Sequence, residues 1–148
     1  MDRFVTHATF SLERVYPVPV AQVFAAWADP AAKARWFAPG PTAGHQLDFR
    51  VGGREVVHGG PEGGPVMTFE SFYRDIVPSE RIVYSSTLSA GDDLATVSVT
   101  TVELSLAGEG THLLLTEQGA FLDGYDDAGA RERGTAGLLD QLGASLKS

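Results

Sequence analysis

The sequence predicts an α+β domain in which a curved antiparallel sheet closes over a long C-terminal helix. Three observations predict it. The chain reads in order as one strand, two short helices, six strands and one long helix. The six later strands are joined by short turns, which makes them an antiparallel meander. The final helix carries one apolar stripe, Thr135, Leu138, Leu139, Leu142 and Leu146, and the apolar face of the meander is its economical partner. A sheet of this size twists and curls around a helix laid in its concavity.

Each element has its own signal. From Ala8 to Val15 the chain alternates, with Phe10 and Leu12 on one face and Thr9, Ser11 and Glu13 on the other, the period of a half-buried strand. Tyr16-Pro17-Val18-Pro19 breaks it, and Pro19 suits a first helical turn, where its missing N–H costs nothing. Val20, Val23, Phe24 and Trp27 then form a helical stripe that ends at Asp29-Pro30. A second short helix runs from Pro30 to Phe37 and stops at Pro39-Gly40-Pro41. Leu47 to Val51 reads as a strand, Gly52-Gly53 as a tight turn and Arg54 to His58 as the partner strand. Gly59 to Pro65 is a looser turn. Val66–Val77, Arg81–Leu88, Ala95–Leu106 and Thr111–Gln118 complete the strands. The last helix is expected from about Asp123 to Lys147. Gly134, Gly137 and Gly143 each weaken it by about 1 kcal/mol relative to alanine, a cost that points to close approach of a sheet or a ligand.

Composition narrows the function classes. The 148 residues fit one domain, residues 1–148, of which roughly 70% of the unfolded surface would be buried. There is no cysteine, which removes disulfides, thiolate catalysis and thiolate metal sites. The first residues, Met1 to His7, show no basic stretch followed by an apolar run. No apolar run approaches the ~20 residues of a membrane helix. The expectation is a cytoplasmic protein with no membrane insertion. The net charge is −8, and no Lys or Arg lies between Arg81 and Arg131, where eight acids fall. Such a surface repels a phosphate backbone, so nucleic acid is an unfavourable partner. The plain reading of these acids is solubility.

The order and spacing of several short pieces resemble the START-like, or SRPBCC, superfamily, whose fold is the helix-grip (START/Bet v-like), and within it the AHSA-type branch named for an activator of the heat-shock chaperone ATPase. The pieces are Arg14 and the proline-led helix ending at Trp27-Ala28-Asp29-Pro30, Trp36-Phe37-Ala38-Pro39-Gly40, Phe49-Arg50-Val51-Gly52-Gly53, Val77-Pro78-Ser79-Glu80-Arg81-Ile82-Val83-Tyr84, Gly110-Thr111-His112-Leu113-Leu114-Leu115, and Gly134 with Leu139 and Leu142. The resemblance spans nearly the whole chain and implies a cavity between the sheet and the last helix. One position departs from it: family members usually carry a tryptophan directly after the glycine of the last helix, and here it is Thr135. Inferences drawn from that tryptophan do not transfer. Phe121 and Tyr125, just before the helix, are the nearest aromatic replacements.

The candidate ligand-binding residues are Trp27, Trp36, Phe37, Phe49, Phe69, Tyr84, Phe121, Thr135 and Leu139. For each ring the alternatives are core packing and a pocket wall. Alternation puts Phe69 and Tyr73 on one face and Phe72 on the other; Ile82, Tyr84 and Ser86 share a face, and at most one of each set lines a cavity. His58, Arg131 and Glu132 are candidate polar groups at the cavity mouth, against plainer readings as a strand residue and a solvated helix face. His7, His45, His58 and His112 show no metal-ligand spacing, so no metal and no cofactor is expected. Ser85, Ser86 and Thr87 have no recognisable His–Asp partners, and no catalytic residue is assigned. The glycine pairs lack the context of a phosphate loop.

Three function classes follow, in this order. The first is a binding protein for a small apolar or aromatic molecule. The second is a cavity enzyme of the polyketide cyclase, dehydratase or hydrolase type, which would show a buried ionisable group facing the cavity, with His58, Glu55, Glu132 and Tyr84 the candidates. The third is a chaperone-interacting domain, ranked last. A homodimer is compatible with all three.

Overall fold

The computed structural model describes residues 2–38, 44–60, 63 and 65–147. The proline-rich stop after the second helix and residues 61, 62 and 64 of the Gly59–Pro65 turn lie outside the described residues. The chain runs β1 (Val5–Tyr16), α1 (Val20–Ala28), α2 (Pro30–Phe37), β2 (Gly44–Leu47), β3 (Arg54–Gly59), β4 (Met67–Val77), β5 (Arg81–Ala90), β6 (Asp93–Ala107), β7 (Gly110–Leu122) and α3 (Ala128–Ser145). The seven strands form one antiparallel sheet in the order β1-β7-β6-β5-β4-β3-β2. The expected meander is therefore present. The first strand, which the sequence left without a partner, pairs with the last, from Val5↔Leu122 to Tyr16↔Thr111.

Alternation dictates what each strand buries. Phe10 and Tyr16 of β1, Ser71 and Tyr73 of β4, Ile82, Tyr84 and Ser86 of β5, and Leu113, Leu115 and Glu117 of β7 all point inward. The β4–β5 ladder slips between Tyr73 and Asp75, and the β5–β6 ladder slips between Leu88 and Ser89. Such irregularities raise local twist and bend a sheet. Helix α3 packs against α2 and β1. Its Leu139, Leu142 and Leu146 are buried, as the stripe predicts. Tyr16 fixes it there: the hydroxyl donates to the Leu139 carbonyl at 2.8 Å. Arg14 adds a contact to Asp140 at 2.8 Å.

Three expectations need correction. The strand placed at Leu47–Val51 is Gly44–Leu47 instead. Beyond Leu47, Asp48 N–H still reaches the Arg54 carbonyl at 2.9 Å, and the chain then turns through Arg50 and Gly53. Phe49 is apolar because its ring meets Phe24 and Tyr73, at centroid distances of 5.6 and 4.9 Å. Second, α3 begins at Ala128, not near Asp123. Asp123 and Gly124 both have positive φ, 55° and 76°, and Asp127 caps the helix by accepting the Ala130 N–H at 2.9 Å. Third, of Gly134, Gly137 and Gly143, one marks a close approach. A Cβ at Gly143 would lie 3.1 Å from Tyr16 Cε1, whereas one at Gly134 or Gly137 meets nothing within 4 Å.

The Gly52-Gly53 turn requires its glycines for different reasons. Gly52 has φ +86°, and at Gly53 a Cβ would fall 2.1 Å from the Asp48 carbonyl oxygen. Gly53→Ala is therefore expected to cost about 2 kcal/mol or more, since backbone must move to admit the methyl group. Gly59→Ala, where a Cβ meets nothing within 4 Å, should be neutral or slightly stabilising. Urea denaturation of both variants checks this; equal midpoints would refute the steric account.

Candidate ligand pocket

The two short helices present a wall of rings to the sheet. Trp27 meets Trp36 at 4.8 Å, Trp36 meets Phe37 at 5.4 Å, and Phe37 meets Phe69 of β4 at 5.6 Å, all edge to face. Aromatic quadrupoles favour this geometry. A second chain runs Phe24–Phe49–Tyr73–Tyr84. Asp29 makes the sharp corner between α1 and α2 by accepting the Ala32 N–H at 2.9 Å, with Pro30 in the first turn of α2.

Behind the wall lies a buried ion pair. Lys33 is wholly inaccessible, and its Nζ lies 2.8 Å from Glu55 Oε1. The same nitrogen sits 5.1, 5.6 and 4.2 Å from the ring centroids of Trp27, Trp36 and Phe37. Glu55 also accepts from the Tyr73 hydroxyl at 3.2 Å and contacts His45 Nε2 at 2.8 Å. Burial pushes Lys33 down, against the pull of Glu55. Burial alone would raise Glu55, but Lys33 and His45 together outweigh it and hold the carboxyl below its usual range. These directions compete for one proton, and the geometry settles it in favour of the ion pair. An ammonium satisfies both the carboxylate and the three ring faces, whereas an amine would leave a buried carboxylate uncompensated. An ionised carboxylate only accepts, so His45 donates from Nε2.

Between this wall, the concave face of the sheet and α3 lies a pocket of about 470 Å³. Its described lining is Trp27, Trp36, Phe37, Val57, Phe69, Tyr84, Leu115, Glu117, Asp126, Ala130, Arg131, Gly134, Thr135, Leu138 and Leu139. The polar groups gather at Glu117. Its Oε2 lies 3.1 Å from Arg131 Nε, close enough for a charge contact but not aligned for a hydrogen bond. Its Oε1 accepts from the Thr100 hydroxyl at 3.2 Å. Arg131 also faces Asp126, at 3.7 Å, and Asp126 accepts from the Thr96 hydroxyl at 2.8 Å. Burial pushes Glu117 above the usual carboxylate range; Arg131 and Thr100 offset this only in part, and Asp126 adds to the rise. The Tyr84 hydroxyl is likewise pushed up by burial and by Glu117. One residue row further along the sheet, Ser71, Ser86 and Ser98 stand side by side, buried and without a protein partner for their hydroxyls among the described residues.

Of the residues singled out from sequence, the fold brings Trp27, Trp36, Phe37, Phe69, Tyr84, Thr135, Leu139 and Arg131 to this pocket. Phe49 packs behind it, and Phe121 is buried elsewhere, its ring edge beside Gly119. His58 is exposed and meets Thr68 at 3.2 Å, because its neighbour Val57 takes the inward position. Glu132 is exposed on α3. Glu55 is buried, but in the ion pair rather than in the lining. Glu117 and Lys33 were not singled out. Both carried a signal: Glu117 follows Leu113 and Leu115 in the inward register, and Lys33 shares a helix face with Trp36 and Phe37.

Among the described residues, no three His, Asp or Glu side chains converge as metal ligands, and no helix is long and apolar enough to cross a membrane. Compared with family models, residues 17–147 match that of the activator of Hsp90 ATPase homolog 1-like protein. The chain belongs to that family. The Mll3558 protein from Rhizobium loti is 47% identical over 96% of this chain and 99% of its own, with a TM-score of 0.92. A putative uncharacterized protein from Rhizobium leguminosarum is 39% identical over 99% of both chains, with a TM-score of 0.94. CalU16 from Micromonospora echinospora, at 22% identity over 98% of this chain and 85% of its own, shares the fold, with a TM-score of 0.65. Comparison with curated proteins finds no match. At the family's departing position, Thr135 lines the pocket and turns its hydroxyl back to the Arg131 carbonyl at 2.9 Å.

Two predictions concern the buried charges. Lys33→Met strands the Glu55 carboxylate and is expected to cost about 3–5 kcal/mol by urea denaturation. Adding Glu55→Gln should restore much of the loss; a cost below about 1 kcal/mol for the single variant would refute the pair's role. For Glu117 the folded protein holds its proton to higher pH than the unfolded chain, whose carboxyl keeps the usual value of 4.5. The stability this group confers is thus complete below that pH and is lost as pH rises through the folded value. Glu117→Gln should flatten the fall of stability above pH 4.5, measured as unfolding free energy against pH.

Proposed function

We propose that this protein binds a small, largely apolar or aromatic molecule in the pocket between α3 and the sheet. The supporting observation is the pocket itself: about 470 Å³, with most of its lining supplied by rings and aliphatic side chains. Small-molecule sites span roughly 300–1,000 Å³ and share this design of apolar walls with few polar groups. The wall is pre-formed, because the Lys33–Glu55 pair and the ring contacts hold Trp27, Trp36 and Phe37 in place before anything binds. Little ordering is left to oppose binding.

Glu117 favours a second reading, a cavity enzyme. A buried carboxyl whose affinity for its proton is raised, beside the Tyr84 hydroxyl in an apolar pocket, has the environment of a general acid–base group. Mass spectrometry of each bound compound after incubation distinguishes the two, since a binder returns it unchanged.

Native mass spectrometry and a thermal-shift screen of fatty acids, flavonoids and polycyclic phenols test the first reading. Gly134→Leu supplies the control. A side chain there has open space, and its backbone is ordinary helix, so the leucine should grow into the pocket without unfolding the protein. We expect ligand-induced shifts in the wild type, and affinity lost by about tenfold or more in Gly134→Leu with its own melting point unchanged or raised. No shift with any compound and no co-purifying molecule would overturn the proposal.

A further inference from the structure

The polar end of the pocket has an imbalance that selects among ligands. Arg131 is the only cation among the described residues that line it. That guanidinium faces two carboxylates, with Nε 3.1 Å from Glu117 and Nη1 3.7 Å from Asp126. Two carboxylates against one arginine leave a net charge of −1 when all are ionised. The other nearby cation, Lys33, is committed to Glu55 behind the rings.

One acceptor is also left open. Asp126 is satisfied, taking the Thr96 hydroxyl at 2.8 Å and the Asp127 N–H at 2.9 Å. Glu117 is not. Its side chain is 5% exposed, its Oε1 has one long hydrogen bond, and its Oε2 has none. Thr135 spends its proton on the Arg131 carbonyl, so its hydroxyl too can only accept from a ligand. A buried, under-satisfied carboxylate oxygen costs the fold free energy that an incoming donor returns.

Building on the proposed binding function, we infer that the pocket selects aromatic ligands whose polar head donates a hydrogen bond, a phenolic or enolic hydroxyl or an N–H group, and rejects carboxylates. Glu117 Oε2 receives the donor. A ligand carboxylate would put a third negative charge into a buried site whose one lining arginine already faces two carboxylates. The ligand's ring then lies against Trp36, Phe37 and Phe69 while the head reaches the first turns of α3.

A matched naphthalene series separates this inference from the broader one. Unsubstituted naphthalene, 2-naphthol and 2-naphthoate are titrated by calorimetry or intrinsic fluorescence at neutral pH, into the wild type and Glu117→Gln. We expect 2-naphthol to bind more tightly than naphthalene, and more tightly than 2-naphthoate by about tenfold or more. In Glu117→Gln, which removes the charge and adds a donor, the naphthol-to-naphthoate ratio should shrink, mainly because naphthoate binds better. Naphthoate binding as well as naphthol in the wild type would overturn the head-group inference and leave the pocket reading standing. Equal binding of naphthalene and naphthol would do the same. An unchanged ratio in a folded Glu117→Gln would remove Glu117 from the role. Binding of none of the three would overturn both readings. The wild-type ratio stands as a test even if the variant does not fold.

Discussion

Among the contacts that seat the helix pair on the sheet, the one on which the pocket wall depends is the ammonium of Lys33 against the carboxylate of Glu55. Neither charge meets water, so each exists only because the other does. The pair ties α2 to β3 across the part of the chain where few other contacts join them. It also fixes three rings at once, since Trp27, Trp36 and Phe37 all present their faces to the same ammonium. The stiffness of the pocket wall is thus an electrostatic property as much as a packing one. Tyr73 and His45 complete the carboxylate's shell, and Tyr73 carries the constraint on to Phe49 and Tyr84 through ring contacts.

Helix α3 explains why there is a pocket at all. Its C-terminal half lies as close to β1 as a helix can, with Gly143 against the Tyr16 ring and the Tyr16 hydroxyl on the Leu139 carbonyl. At Gly134 the same helix faces open space. Small residues at 134 and 135 leave uncovered what a larger ring would fill. The space is closed at the far end by charge rather than by bulk: Arg131 leans across to Glu117 and Asp126, over the face of Phe69. Close packing at one end and an ion-pair bridge at the other thus define one site.

Most of this architecture is legible in the sequence, because strand alternation and helical stripes are local. The helix pair, the seven strands, the buried stripe of α3 and most of the ring wall follow from spacing alone. What escapes is non-local or disguised. Leu47, Phe49 and Val51 alternate like a strand, yet Phe49 is apolar for the sake of Phe24 and Tyr73, and the ladder has already given way to a turn. Asp123 and Asp127 look like part of a charged helix start, but a positive φ at Asp123 and the cap at Asp127 move the helix five residues on. Lys33 reads as surface because lysine is rarely buried, and its partner is 22 residues away. Glu117 vanishes into an acidic excess unless its register with Leu113 and Leu115 is followed.

The pairing of β1 with β7 governs how this molecule is made. Strands β4 to β7 are hairpin neighbours and can zip as soon as each is available. Strand β1 is synthesised first, yet its partner residues lie more than ninety positions later, from Thr111 to Leu122. Contacts of such separation are slow to form, because the loop must close before any pairing rewards it. On the ribosome, β1 therefore waits as an unpaired strand until the other six strands have emerged. Its Phe10 and Tyr16, buried once the fold is complete, stay uncovered through that interval, when the nascent chain is most open to aggregation.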